Sequence, residues 1–144
     1  TIGETFSDGL DIDFGTGTLK NVYFYDTGND GMDFSGSKLT IINGLIKNAG
    51  DKGISVGEES DVYVKKITID GANIGVASKD LSKLVIDFIE LSKCNQGFIA
   101  FQKKPEYGGA KIVIHNYKSD NIRFLHKIQK GSTLKLRGKE VDNS

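Results

Sequence analysis

The chain has 144 residues, enough for one domain with an apolar core, and its 19 basic and 19 acidic residues give a net charge of zero. This balance argues against nucleic-acid or acidic-membrane binding, and we expect neither partner. One cysteine excludes an internal disulfide framework, and no apolar run is long enough for membrane insertion.

Glycines recur along the chain at a constant 22-residue interval. They are Gly9, Gly31, Gly53, Gly75 and Gly97. After each glycine comes an apolar residue, and two places further on comes an apolar or small one. These pairs are Leu10 and Ile12, Met32 and Phe34, Ile54 and Val56, Val76 and Ser78, and Phe98 and Ala100. The pattern predicts one short strand per repeat with one face turned inward.

Further β-rich runs follow in chain order, separated by polar turns. They read LTIINGLI, VYVKKITI, LVIDFIEL, KIVIHNY and TLKLRG. Two polar columns accompany the repeat. Ser7, Asn29, Asp51, Asn73 and Asn95 keep the 22-residue interval before the glycines, and Ser37, Ser60, Ser82 and Ser132 close the turn after the first strand. Each unit therefore holds about three strands and three turns without a helix, and this predicts an all-β parallel β-helix of about six coils. A leucine-rich repeat is the alternative at this period, but its leucine-rich phrase and return limb are missing.

The segment KKPEYGGA, residues 103–110, interrupts the repeat and contains the single proline. We expect the next coil to begin near Asn121, 26 residues after Asn95 instead of 22. A loop that bulges from a regular solenoid is a common place for specificity.

The glycine-apolar strands, the asparagine column and the 22-residue coil resemble the right-handed parallel β-helix of the pectin-lyase-like superfamily, over about residues 5–140. The phrases GDKGISVGEESDV, IGVASKDLSKL and FQKKPEYGGAKI resemble, more narrowly, β-helix segments of large bacterial surface or secreted proteins. Some of those carry a spore-coat-H-like (CotH-like) kinase domain. The resemblance implies a groove on the outer face of the first sheet, where lyases and epimerases use bound Ca²⁺ and a basic side chain, although no complete catalytic motif is present here.

A carbohydrate-contacting patch is one interpretation of the charged residues around the insertion. Its candidates are Glu58, Lys79, Asp80, Phe101, Lys103, Lys104 and Tyr107. Phe101 falls at an outward position beside lysines, as a sugar-stacking ring would. The alternative interpretation is a surface charge ladder, in which each pair contributes little to stability.

A calcium site is the second hypothesis. Asp11, Asp13 and Asp33 fall at outward positions of the first sheet, where like charges on adjacent strands repel one another. Ca²⁺ prefers clustered oxygen ligands and would relieve this repulsion, whereas solvent screening is the alternative. We expect His115 and His126 to be surface residues and Cys94 to be packed in the interior.

We therefore expect a rigid structural or carbohydrate-contacting module without catalysis of its own, at the surface of a bacterial cell or secreted from it. The alternative is a polysaccharide lyase, epimerase or hydrolase, or a fragment of one, acting along the first sheet. Catalysis would need an acid and a base converging on one groove. Only Arg123 and Arg137 supply guanidinium groups, fewer than lyase chemistry on acidic sugars would favour.

The chain is predicted to be a single domain, residues 1–144, within a longer protein. Residues 1–70 contain 12 acids and 6 bases, whereas residues 71–144 contain 7 acids and 13 bases. Because solenoid ends expose edge strands, we expect an upstream domain to cover the N-terminal coil, or copies to associate acidic end to basic end.

Overall fold

The computed structural model describes residues 1–143, which wind into a parallel β-helix of about six coils. The strands are β1 (Ile2–Thr5), β2 (Leu10–Asp13), β3 (Thr16–Leu19), β4 (Val22–Thr27), β5 (Met32–Ser35), β6 (Lys38–Ala49), β7 (Lys52–Gly57), β8 (Asp61–Lys79), β9 (Lys83–Phe101), β10 (Lys111–Ile128), β11 (Thr133–Leu136) and β12 (Lys139–Glu140). Within these residues there is no helix, and so none that could cross a membrane. The predicted fold class is confirmed, and the leucine-rich alternative is wrong.

The strands form three sheets, because the long strands bend around the corners of the coil. The first sheet contains β2, β5, β7 and the last parts of β8, β9 and β10. The second contains β3, the first parts of β6, β8, β9 and β10, and β11. The third contains β1, β4 and the remaining parts of the long strands.

Parallel pairing brings residues one repeat apart side by side. Leu10 pairs with Met32, Met32 with Ile54, and Val76 with Phe98, so the first strand of each repeat stacks on the next. Ile54 and its neighbours in this column point inward, where the side chains of the three sheets meet. The largest fully buried side chains are Phe24, Phe34, Phe98, Met32, Ile41, Ile46, Ile54, Ile67, Ile69, Leu84, Ile86 and Ile89. Each contributes about 1.5–3 kcal/mol through burial.

The repeated glycine lies at an inward corner between the third and first sheets. A Cβ on Gly53 would lie 2.6 Å from the carbonyl oxygen of Gly75 and 2.7 Å from the Ile69 side chain. A Cβ on Gly75 would lie 2.6 Å from Leu91 and 2.8 Å from the oxygen of Gly97. The 22-residue glycine repeat therefore reflects the close approach of stacked backbones to the core.

Both predicted polar columns form hydrogen-bonded ladders. The Ser37 amide donates to the Ser60 Oγ at 3.0 Å, and the Ser60 amide donates to the Ser82 Oγ at 3.2 Å. All three serines are buried, as is Ser132, whose Oγ accepts from the Ala110 amide at 3.0 Å. In the other column, the side-chain amide of Asn73 donates to Asp51 at 3.3 Å. The serine ladder satisfies turn amides that the corners would otherwise leave unpaired, whereas the asparagine column links side chains of successive coils.

The insertion lies where the sequence predicted it, but the strand register after the insertion differs from the predicted one. Lys79 pairs with Phe101 at the regular repeat interval, whereas the interval from Lys83 to its partner Lys111 is six residues longer. The expected restart at Asn121 is therefore wrong, because six extra residues precede β10 and the predicted interval of 26 residues contains only four. The corrected register places His126 opposite Phe98 in the inward column, so His126 is partly buried instead of a surface residue.

The second sheet ends in an antiparallel strand. β12 pairs with β11, with Lys135 opposite Glu140 and Leu136 opposite Lys139. The Val141 amide donates to the Leu134 carbonyl oxygen at 2.8 Å, and its side chain packs against the core. This strand covers the exposed edge of β11, which limits further pairing there.

Candidate functional site

The outer face of the first sheet carries three parallel columns of side chains. We call them the leading ridge, the floor and the trailing ridge. The leading ridge consists of Asp8, Asp30, Lys52, Ile74, Gln96 and Phe124. The floor consists of Asp11, Asp33, Ser55, Ala77, Ile99 and Lys127. The trailing ridge consists of Asp13, Ser35, Gly57, Lys79, Phe101 and Gln129. Along this face the side chains are acidic on the first coils, include lysines on the middle coils, and are mainly amide and aromatic on the last coils.

The acidic end brings three carboxylates together. Single oxygen atoms of Asp8, Asp11 and Asp33 all lie within 4.8 Å of one another. Asp8 Oδ1 accepts hydrogen bonds from the Asp30 amide at 2.9 Å and from the Asn29 side chain at 2.8 Å. One oxygen of Asp8 is therefore already used within the protein.

This cluster overlaps the predicted calcium site without matching it. Asp11 and Asp33 are shared, but Asp8 takes the place of Asp13 as the third clustered ligand. Partial desolvation and the Asp13 carboxylate raise the pKa of Asp11. Carboxylate oxygens suit Ca²⁺, so these residues could hold the ion, and its binding stays a prediction.

Two lysines follow on the adjacent coils. Lys52 Nζ lies 2.7 Å from Asp51 Oδ2, and the Lys52 amide donates to Asp30 Oδ1 at 3.0 Å. Burial raises the pKa of Asp30 to about 6. Burial also lowers the pKa of Lys79, which the opposite charge of Asp33 only partly offsets.

Beyond the lysines the face opens into a groove. A depression of about 400 Å³ is lined by Ile74, Gln96, Ile99, Ala100, Phe101, Lys127 and Gln129. A second depression of about 290 Å³ adds Phe124 and His126 and shares Gln96 and Lys127 with the first. Together they lie in the range of small-molecule sites, roughly 300–1,000 Å³. Ala77 and Ile99 are buried on the floor, so the groove has an apolar base between its two ridges.

The predicted carbohydrate residues fall into two groups. Phe101 and Lys79 lie on the trailing ridge, where burial and, to a lesser extent, the like charge of Lys103 lower the pKa of Lys79. Of the seven candidates, only Phe101 lines the groove described above. The second group lies in or against the insertion, beside the trailing ridge, and consists of Glu58, Asp80, Lys103, Lys104 and Tyr107.

Within the second group, Lys104 forms an ion pair with Glu58, two coils earlier in the chain. The Tyr107 amide donates to the Lys104 carbonyl oxygen at 3.1 Å, which folds the insertion back on itself. Gln102 helps to close the loop, since its side-chain amide donates to the Lys104 oxygen at 3.1 Å. The charges of Lys104 and Glu58 are therefore paired within the protein.

Asp80 does not lie on the surface and cannot contact a sugar as predicted. It is 1 % exposed, and its Oδ1 accepts from the amides of Lys103 at 2.7 Å and Lys104 at 2.8 Å. Its role is to hold the start of the insertion, because a carboxylate that accepts two amides satisfies both donors.

Sequence reasoning predicted Phe101 and missed the other groove residues, among them Gln96, Lys127, Gln129 and Phe124. Phe124, Lys127 and Gln129 follow the insertion, and the two-residue error in the predicted register assigned them to the wrong columns. Matching the apolar Ile128 to Ala100 would have placed Gln129 beside Phe101. Gln96 directly precedes a repeat glycine, and the sequence offers no separate signal for it.

A second polar cluster lies on the corner between the second and third sheets. The Tyr63 hydroxyl donates to Asp87, whose other oxygen lies 2.8 Å from His115 Nδ1. The hydrogen bond from Tyr63 lowers the pKa of Asp87, and His115 lowers it further. His115 is exposed, as expected, and the cluster forms a hydrogen-bond chain across adjacent coils.

The family described as right handed beta helix region matches residues 8–144. The chain belongs to this family. The match covers nearly the whole chain and agrees with the coil geometry and the 22-residue pairing interval. Neither a curated protein nor a solved structure matches the chain. The family establishes the right-handed β-helix fold, and one fold supports many chemistries.

Proposed function

We propose that this β-helix is a rigid, non-catalytic module that contacts carbohydrate along the groove on the outer face of its first sheet. The observation that carries the proposal is the combination of an apolar floor with an aromatic side chain on each ridge, Phe101 and Phe124. Sugar rings stack their C–H faces on aromatic rings, while amide and amine groups at the rim bond their hydroxyls.

The two aromatic side chains are available to a ligand to different degrees. Phe124 is 53 % exposed, and the guanidinium carbon of Arg123 lies 5.1 Å from its ring centroid. Phe101 is partly buried against the groove, which holds its ring in place. A pre-positioned ring loses little conformational entropy when a ligand binds. The insertion borders the same ridge and extends the wall beside Phe101.

Binding to a glycan array and to insoluble polysaccharides tests the proposal. We expect Phe101→Ala and Phe124→Ala each to weaken binding at least roughly fivefold, in line with the loss of one aromatic contact. Phe14→Ala is the matched control, because Phe14 is 80 % exposed on the first coil, far from the groove. Equal losses in all three variants, or no glycan bound by the unmodified protein, would contradict the proposal.

The second candidate function is a polysaccharide lyase, epimerase or hydrolase. One observation favours it: Asp30 has its pKa raised to about 6 and Lys79 has its pKa lowered, both by burial on the same face. Shifted acids and bases of this kind are common in active sites. An ultraviolet assay for unsaturated uronides would detect lyase activity, and product formation abolished by Lys79→Met would replace the non-catalytic proposal.

We also propose that the module functions outside the cell, at a bacterial surface or after secretion. The support is the resemblance of its repeats to β-helix segments of such proteins. Antibody labelling of intact source cells would test this, and signal only after cell lysis would contradict it.

A further inference from the structure

We propose that the groove selects uncharged glycans, and that Gln96 is the residue that determines this specificity. The inference rests on the proposed carbohydrate-binding function and adds the chemical class of the ligand.

Gln96 stands on the leading ridge and lines both depressions of the groove. Its Oε1 is buried and has no hydrogen-bond partner among the described residues. A buried polar atom without a partner costs about 1–3 kcal/mol, which a ligand recovers if it supplies the missing bond. Because this oxygen has almost no accessible surface, a ligand reaches it only when the Gln96 side chain rotates into the groove, where a donor can supply the missing bond.

A hydroxyl group can pair with either end of this side chain, whereas a carboxylate can pair only with its nitrogen. The amide of Gln96 offers an acceptor at its oxygen and donors at its nitrogen. A sugar hydroxyl both donates and accepts, so it pairs with either end of the amide. A carboxylate only accepts, and near Oε1 it would place two acceptors against each other.

The trailing ridge also presents a side-chain amide to the groove, that of Gln129. Gln129 Oε1 accepts from the backbone amide of Gln102 at 2.7 Å, which fixes the Gln129 side chain beside the insertion. The nitrogen of the same side-chain amide is a donor from which a hydroxyl or ring oxygen can accept. The amides on the two ridges can bond the hydroxyls at the edge of a neutral pyranose, and the apolar floor between them can contact the face of its ring.

Few cationic side chains lie at the groove: Lys127 lines both depressions, and the Arg123 guanidinium lies beside the Phe124 ring. Lys127 is the one lysine or arginine among the residues that line it. Lys104 is paired with Glu58, and the stem of Lys79 lies over Gly57, on the side away from Phe101. A polyuronate presents one carboxylate per sugar, and the groove has no series of cations to match it.

Isothermal titration with neutral and acidic oligosaccharides of equal length tests the inference. The neutral probes are cellohexaose, xylohexaose and mannohexaose, and the acidic probe is hexagalacturonate. We expect at least one neutral probe to bind, with a dissociation constant that changes less than about twofold between 0.05 and 0.5 M NaCl. We expect hexagalacturonate to bind at least about tenfold more weakly.

Variants at Gln96 separate specificity from a general loss of folding. Gln96→Leu keeps the volume and Gln96→Asn keeps the amide but shortens its reach, and each should weaken the neutral probe roughly tenfold. Lys127→Ala should change it less than about threefold, and unchanged melting temperatures would show that all three variants are folded.

Tighter binding of hexagalacturonate, or a larger loss with Lys127→Ala than with Gln96→Leu, would overturn this inference and leave the proposed function intact. Binding of no probe of either class would overturn both.

Discussion

The Ser60 hydroxyl oxygen lies 3.0 Å from the Ser37 amide nitrogen of the preceding coil, and both residues are buried. Ser60 Oγ also donates to the Gly57 carbonyl oxygen at 2.7 Å, which orients its lone pairs toward Ser37. The same arrangement repeats one coil later between Ser60 and Ser82. This ladder connects the corners of successive coils through buried side chains, whose hydrogen bonds are shielded from water.

Removal of one rung should therefore destabilise the solenoid. Ser60→Ala leaves the buried Ser37 amide without its acceptor, and we expect a loss of about 1–3 kcal/mol in the free energy of unfolding. Urea denaturation monitored by circular dichroism measures the change. Ser119→Ala, at an exposed position of the third sheet, is the control and should be close to neutral. Equal stability of the two variants would show that the ladder contributes nothing.

The inward corner occupied by the glycine repeat predicts a sharp contrast within β7. Gly53→Ala places a methyl group 2.6 Å from a backbone oxygen, and we expect it to cost about 1–3 kcal/mol. Gly57→Ala meets only the flexible stem of Lys79, at 2.8 Å, which can move aside at little cost. Thermal denaturation of the two variants provides the comparison, and a Gly57→Ala loss as large as that of Gly53→Ala would contradict the steric explanation.

Asp80 should control the order of the insertion. Asp80→Ala removes the acceptor shared by the Lys103 and Lys104 amides, so we expect those amides to exchange with deuterium at least about tenfold faster. Asp80→Asn is the matched control, because its carbonyl oxygen can still accept. Unchanged exchange in Asp80→Ala would mean that Gln102 and the Glu58–Lys104 ion pair hold the loop without it.

Stability should depend on pH through Asp30. Burial raises its pKa from 3.8 to about 6, so between about pH 4 and pH 6 the folded protein holds a proton that the unfolded chain has lost. The contribution of Asp30 is therefore most favourable near pH 4 and declines as the pH rises to about 6. This decline should be missing from Asp30→Asn.

Urea denaturation at pH 4, 5, 6 and 7 measures this difference. We expect the stability of the unmodified protein relative to Asp30→Asn to fall from pH 4 to pH 6 and to level off at pH 7. Asp61→Asn, at an exposed position, serves as the control. Parallel stability curves for the unmodified protein and Asp30→Asn would contradict the prediction.

Much of the fold was predictable because parallel coils convert a constant sequence interval into a spatial column. The glycines, the serine ladder and the inward apolar residues could be placed by counting along this interval. The outward positions of Asp11, Asp33 and Phe101 followed from the same count. Prediction weakened at the insertion, because the sequence does not show how many of its residues remain in the coil and how many form the loop.

The site was less predictable, because it depends on the direction and reach of side chains. The Glu58–Lys104 pair joins residues 46 positions apart, and the burial of Asp80 depends on how the insertion folds over it. Neither relationship follows from a repeat interval, which specifies neighbours on adjacent coils only. The groove itself arises where two ridges face each other across an apolar floor.

The amino-acid sequence alone determined that this protein coils with a 22-residue period, since backbone pairing between parallel strands requires only a regular alternation of apolar and polar residues with small residues at the corners. Only the tertiary structure decided which charged residues are exposed, which are buried and where the groove opens. The reason is that burial depends on the neighbours packed around a side chain, and an insertion of six residues changes those neighbours for every coil that follows.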